Sequence, residues 1–284
     1  MSTHAYLKKA LPSSLRRRLA PLAKTVYRND LNQLALHFHT DKWGKHWYTQ
    51  HYQRYFHELR NKPLNILEIG VGGYEDSGTG GESLRMWKAY FPKSRIVGID
   101  LCDKTHFREH RIDIRQCDQT DEKALRALSE EYGGFDIIID DGSHLNQHVI
   151  TTFTILFPLL RPNGIYSIED TQTSYWPGWG GGFKNPQSTM SFFKDLSDGL
   201  NHVEYPLEQY TPNYFDQHIV EMAFFHNLIV IRKGANNERS NAPDLLKREI
   251  KASQDVSSIP LPTQSSPINP SEQIKTSASS RLCL

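Results

Sequence analysis

Charge of one sign is what this 284-residue chain lacks first: 33 Lys and Arg stand against 32 Asp and Glu, a formal net charge of +1. With no global field to draw a polyanion, no nucleic-acid partner is expected, and partners must be argued locally. Cysteine is scarce as well. Cys102, Cys117 and Cys283 are scattered, with neither the even framework of a secreted disulfide scaffold nor the paired spacing of a zinc site, and they suit a reducing cytoplasm. No apolar run approaches the roughly 20 residues that span a bilayer, and the first residues lack the apolar stretch of a signal peptide, so a soluble chain is expected. Internal repeats are missing too.

What is present falls into three stretches. Residues 1–60 hold a basic segment and a helical cap. Within 5–28, Leu and Ala mix with Lys8, Lys9, Arg16, Arg17, Arg18, Lys24 and Arg28, broken by Pro12 and Pro21. Such a segment suits either weak contact with an anionic membrane surface or a solvated helical lead-in packed on the main domain. Residues 31–60, rich in aromatics and His, read as helical. Residues 61–236 alternate short β-branched runs with amphipathic stretches, the pattern of an α/β domain with a parallel sheet. The predicted strands are 64–70, 95–100, 112–118, 135–140 and 164–170, with SLRMWKAYF, EKALRALSEEY and QHVITTFTILFPLL as helices between them. Residues 220–225 and 228–233, joined by His226-Asn227, read as an antiparallel hairpin closing the sheet edge. Beyond Gly234 the composition turns to Ser, Pro, Asn, Gln and Lys, which predicts disorder over 240–284.

The chemistry concentrates at strand ends, where open α/β sheets bind ligands. The first strand runs into Glu68-Ile69-Gly70-Val71-Gly72-Gly73, where a tight turn lets a ligand approach the backbone. The long loop YEDSGTGGES intervenes before the next helix, so no tight pyrophosphate turn forms and a cofactor without phosphates is favoured. Glu68 would place a carboxylate near a ligand amine, and the helix start around Gly81 and Ser83 suits a ligand carboxylate. S-adenosylmethionine carries both groups. Asp100, ending the second strand, suits ribose hydroxyls. Asp118 and Gln119, ending the third, suit the adenine amino group.

Strands four and five end in Asp140-Asp141-Gly142-Ser143-His144 and Ile168-Glu169-Asp170-Thr171. If these strands are neighbours about 4.8 Å apart, Asp141, Glu169 and Asp170 converge, and three carboxylates so placed call for a cation. All-oxygen ligation selects Mg²⁺, Mn²⁺ or Ca²⁺, and Mg²⁺ leaves positions open to water or substrate oxygens. His144 falls at a helix start within reach of the same cleft, and an imidazole of ordinary pKa near 6.5 suits a general base acting on a metal-acidified hydroxyl.

At these residues the sequence resembles a known family, the metal-dependent sugar O-methyltransferases of macrolide and related antibiotic biosynthesis. The resemblance runs from about His39 to Gly234 and is carried by TDKWGKHWYTQHY (40–52), LEIGVGGY (67–74), GGESLRMWKAYFP (80–92), IVGIDL (96–101), IIDDGSH (138–144) and SIEDTQTSYW (167–176). It implies a Rossmann-like class I methyltransferase fold with a seven-stranded, mostly parallel sheet ending in an antiparallel hairpin. It also implies Mg²⁺ on Asp141, Glu169 and Asp170, His144 as catalytic base, and S-adenosylmethionine contacts from Gly70, Gly72, Ser83, Asp100, Asp118 and Gln119. The implied acceptor is a sugar hydroxyl of a small-molecule glycoside or a glycan, and a homo-oligomer is compatible with it. Tyr175, Trp176 and Trp179 suit stacking on a sugar face or plain packing. The chain departs from the family in having only about 60 residues before the first strand, where those enzymes carry a large auxiliary domain. Around Asp-Gly-Ser-His and Glu-Asp-Thr the sequence is also similar to cephalosporin hydroxylase, which keeps a metal-dependent hydroxylase as the alternative.

Overall fold

The computed structural model describes residues 27–255 apart from Glu75 and Ser77. All but the last two residues of the basic 5–28 segment, and everything after Asp255, lie outside the described residues. The chain divides into two compact units, Met1–Ser143 and His144–Leu284.

In the first unit two short helices, α1 (Leu31–Phe38) and α2 (Thr49–Phe56), precede β1 (Asn65–Ile69). Then come α3 (Glu82–Tyr90), β2 (Arg95–Asp100), β3 (Ile112–Gln116), α4 (Glu122–Tyr132) and β4 (Phe135–Asp140). The strands are parallel: β1 pairs with both β2 and β4, and β2 pairs with β3. Their Ile and Val side chains, among them Ile66, Ile96, Val97, Ile99, Ile137 and Ile139, are buried, as a sheet covered on both faces requires. Helix α3 lies directly on β2, since a Cβ at Gly98 would stand 2.8 Å from the Leu84 side chain. The aromatic-rich cap docks on α3 through Tyr52 and Phe56, whose rings pack against Trp87. Asp30 caps α1 by accepting from Gln33, and Asp121 caps α4 by accepting from Ala124, each satisfying an otherwise orphaned amide.

The second unit opens with α5 (Asn146–Leu159) and β5 (Leu160–Glu169), followed by α6 (Thr189–Asp198), α7 (Tyr214–His218), β6 (Ile219–Phe225), β7 (Leu228–Lys233) and α8 (Pro243–Asp255). Strand β7 pairs antiparallel with β5 and with β6, and Asn227 in the hairpin turn takes the left-handed backbone at φ 61°. The core is aromatic: Phe153 meets Phe157, Tyr166, Phe193 and Phe215. No loop separates α5 from β5. The carbonyls orphaned there, those of Phe157, Pro158 and Leu160, all accept from the buried Lys233 ammonium, whose pKa is lowered by burial.

Seven strands, mostly parallel and ending in an antiparallel hairpin, make the α/β fold that the sequence predicts. Two differences are large, while the remaining strand ends move by at most two residues. Strand β5 begins four residues earlier than predicted, because Leu160 starts the strand without a connecting turn. Disorder from residue 240 gives way to helix α8, with Pro243 at its first turn, Asp244 beside it, and half-buried Leu246 and Ile250 one turn apart on one face. A composition averaged over 45 residues hides a helix of 13.

Candidate functional site

In the first unit the turn after β1 is emptied of side chains. Gly70 has φ +89°, and a Cβ there would stand 2.1 Å from the Asp141 carbonyl oxygen, so only glycine lets the ends of β1 and β4 close up. Gly72, at φ +87°, continues the turn, and the Gly81 amide donates to Val71 across the loop at 2.7 Å. Beneath it the buried Lys104 ammonium donates to the carbonyls of Asp76 and, at 3.1 Å, Thr79. The loop is long yet braced.

The predicted cofactor residues lie at or just after strand ends, apart from Ser83, the second residue of α3. Glu68 is wholly buried: Ser83 Oγ donates to its Oε2 at 2.8 Å, and Lys42 Nζ stands 3.3 Å from its Oε1. Burial pushes the Glu68 pKa up and Lys42 opposes that rise. Thus Glu68 is turned into the protein, bonded to the Ser83 hydroxyl that the sequence assigned to the same cofactor. Asp100 accepts the Val71 amide on Oδ2 and the Cys102 amide on Oδ1, both at 2.9 Å, which ties the end of β2 to the glycine turn. Asp118 is exposed and accepts from the amide and hydroxyl of Thr120. Gln119 is buried, and its Oε1 accepts the Ser143 amide at 2.7 Å, holding the turn after β4. Lys42 was not singled out from the sequence. It is buried, and its Nζ stands 2.6 Å from Asp141 Oδ2, so one ammonium serves both Glu68 and Asp141. Its only sequence signal was membership of the TDKWGKHWYTQHY stretch, because the contact to Asp141 joins positions 99 residues apart.

In the second unit the structure brings His144 and Asp170 together, with Nε2 3.7 Å from Oδ2 and both side chains partly exposed. Each holds a left-handed backbone, φ 55° at His144 and φ 52° at Asp170. For residues other than glycine that conformation costs about 1–3 kcal/mol apiece and concentrates at functional sites. Glu169, the last residue of β5, is buried, and Thr171 beyond it donates to the Asn227 carbonyl in the hairpin turn. Trp179 lies beside the imidazole, its ring centroid 6.2 Å away.

No family model matches the chain. Curated relatives do. Demethylmacrocin O-methyltransferase of Streptomyces fradiae is 46% identical over 233 residues, covering 80% of this chain and 59% of its own length. The 8-demethyl-8-alpha-L-rhamnosyl tetracenomycin-C 2'-O-methyltransferase of Streptomyces olivaceus is 45% identical over 206 residues, 72% of this chain and 54% of its own length. Among solved structures, MycE methyltransferase from the mycinamycin biosynthetic pathway, in complex with Mg and SAH, superposes with a TM-score of 0.73 at 43% identity, covering 79% of this chain and 60% of that one. The sheet is therefore that of a class I methyltransferase fold. Within that class the chain belongs, over the matched residues, to the family of sugar O-methyltransferases, and it spans about three-fifths of the length of the relatives cited.

Proposed function

We propose that this protein is an S-adenosylmethionine- and Mg²⁺-dependent O-methyltransferase acting on a sugar hydroxyl, with residues 61–236 as its catalytic domain and a reducing cytoplasm as its setting. The observation that carries the reading is the His144–Asp170 pair, two partly exposed side chains 3.7 Å apart, each on a left-handed backbone, in a homologue of sugar O-methyltransferases. The donor chemistry fits the ion: Asp141, Glu169 and Asp170 are carboxylates, Asp141 and Asp170 are open to solvent in part, and an all-oxygen set suits Mg²⁺. Asp141 precedes His144 by three residues, so one turn of chain links the proposed ligand to the proposed base. When bound, Mg²⁺ supplies acidification of the acceptor hydroxyl and S-adenosylmethionine an activated methyl group.

The chain's own residues then have definite tasks. His144 accepts the hydroxyl proton, and Asp170 orients its imidazole. Lys42 offsets the charge of Glu68 and Asp141, holding both carboxylates in place. Gly70 lets β1 and β4 close up, Gly72 leaves room beside the backbone for the cofactor, Asp100 offers its carboxylate to the ribose, and Asp118 and Gln119 flank the adenine. Ser83 and Glu68 shape the pocket floor through their mutual hydrogen bond. Catalysis would rest mainly on alignment of hydroxyl and methyl group.

The hydroxylase alternative has no support among the relatives. The test is mass spectrometry of glycosides incubated with purified protein, S-adenosylmethionine and Mg²⁺ under anaerobic conditions. A gain of one methyl group is expected. Product that needs oxygen, or none across a panel of rhamnosides and hexosides that includes the relatives' own acceptors, would defeat the reading.

A further inference from the structure

The inward-turned carboxylate of Glu68 is satisfied on one oxygen and not on the other. Its side chain is 0% exposed, and Oε2 accepts the Ser83 hydroxyl at 2.8 Å. Oε1 is buried too, yet it receives no hydrogen bond, although Lys42 Nζ stands only 3.3 Å away. A buried carboxylate oxygen left without a donor costs stability and is uncommon in a folded protein. Here an ammonium is within reach and aimed elsewhere.

Its short bond goes to Asp141, whose Oδ2 accepts from Lys42 Nζ at 2.6 Å. The root of the lysine is fixed. The Lys42 carbonyl accepts the amides of Tyr48 at 3.1 Å and Thr49 at 3.3 Å at the start of α2, and its own amide donates to the Thr40 hydroxyl at 3.4 Å. The stem that leaves this root has four rotatable carbons and ends in three donors that can re-aim. A mobile ammonium on an immobile backbone therefore lies between two carboxylates, one hydrogen-bonded to it and one still lacking a donor.

We propose that Lys42 is a positioning residue that competes with the divalent cation for Asp141, and that Glu68 Oε1 is the second seat to which its ammonium turns as the cation binds; this rests on the Mg²⁺-dependent reading above. An ammonium and a dication on one carboxylate repel each other strongly where water is excluded. A lysine that is 1% exposed cannot escape to solvent, and a buried charge left without a counter-charge is heavily destabilising. Glu68 resolves the conflict, because it supplies a carboxylate oxygen beside the ammonium that is otherwise without a donor. The burial of Glu68 then has a task that no cofactor contact requires. Metal affinity is held down by the competition, so the ion exchanges readily, and Asp141 keeps its orientation through the exchange.

Crystal structures of the full chain grown with EDTA and with Mg²⁺, together with calorimetric titration of Mg²⁺, test this. With EDTA the Lys42 ammonium should stay on Asp141; with Mg²⁺ it should leave hydrogen-bond reach of Asp141 Oδ2 and come within about 3.0 Å of Glu68 Oε1. Glu68→Gln removes the charge of the second seat and should bind Mg²⁺ about tenfold more weakly, the lower end of the effect of losing a partner behind a metal ligand. Lys42→Met/Glu68→Gln removes competitor and seat together, leaves neither charge buried alone, and should bind Mg²⁺ about tenfold more tightly than the parent. A purely structural Lys42 would lower the melting temperature and move both affinities the same way or not at all. An ammonium still bonded to Asp141 in the Mg²⁺ crystal, or two variants that change in the same direction, would overturn the competition; if the double variant does not fold, the crystal pair and Glu68→Gln decide it. A parent protein that binds no Mg²⁺ would strike the metal-dependent reading itself, and the competition with it.

Discussion

Two strand ends of this protein solve opposite problems. The turn after β1 has glycines at 70, 72, 73, 78, 80 and 81, and is braced from below by Lys104. The turn after β5 carries Tyr175, Trp176, Trp179 and Phe183, and is braced from below by Asn146. One presents bare backbone; the other presents rings. In both, a buried polar side chain bonded to carbonyls replaces the regular hydrogen bonds that an irregular segment gives up. The lesson is that loop rigidity and loop composition are set separately, so substitutions in the two turns should fail in different ways.

The largest expected effect is at Gly70. Gly70→Ala must move the Asp141 carbonyl and adopt a positive φ, which should destabilise the protein by about 3 kcal/mol or more and abolish cofactor binding, read by thermal melts and calorimetry. A Gly70→Ala protein melting near the parent would break the comparison. Next comes His144→Ala, expected to lower turnover on the order of a hundredfold with cofactor affinity retained, the usual scale for a removed general base. EDTA should also stop turnover, and here added Mg²⁺ should restore it, so only one of the two defects responds to metal.

Asp100→Ala should weaken cofactor binding by about 1.5–3 kcal/mol, and part of that loss would come through the glycine turn, since both Asp100 oxygens hold backbone amides there. In the ring-bearing turn, Phe183→Ala should shift stability by no more than about 0.5 kcal/mol, because an exposed side chain on a cross-linked backbone contributes little to folding. A melting shift as large as that of Gly70→Ala would show the aromatics to be core. A last effect, confined to alkaline pH, lies away from both turns. The Tyr90 phenol is pushed up to about 12, first by burial, against 10.0 for a free tyrosine. Between those values the folded state keeps a proton that the unfolded chain releases, so stability falls as pH rises from 10 to 12. Tyr90→Phe should flatten that slope in melts across the window.

Much of the scaffold was legible. The alternation of β-branched runs located all seven strands, and β2, β4 and β7 begin and end where the apolar pattern does. Acidic strand ends pointed to Asp141, Glu169, Asp170 and Asp100, since strand ends are where such sheets hold ligands. Side-chain direction was less legible. Glu68 sits one residue before the turn, and the sequence does not tell whether its carboxylate turns outward to a ligand or inward to Lys42 and Ser83, as it does. The bracing residues Lys104 and Asn146 were invisible, and Lys42 showed only as one letter of the 40–52 stretch. A lone Lys or Asn has no motif, and their partners lie tens of residues away along the chain. Helix α8 was masked by the polar composition around it.

The direct passage from α5 into β5 carries a consequence for how this chain can vary. Helix ends at Leu159 and strand begins at Leu160, with Lys233 filling the place of a connector. A surface loop absorbs an inserted residue; here there is nothing to absorb it. One extra residue at this junction would slide β5 by one step against β7 and turn every side chain to the opposite face, placing Ile168 where Glu169 now pairs with Leu228. Length changes in descendants of this sequence should therefore gather in the surface loops and avoid residues 158–161 altogether.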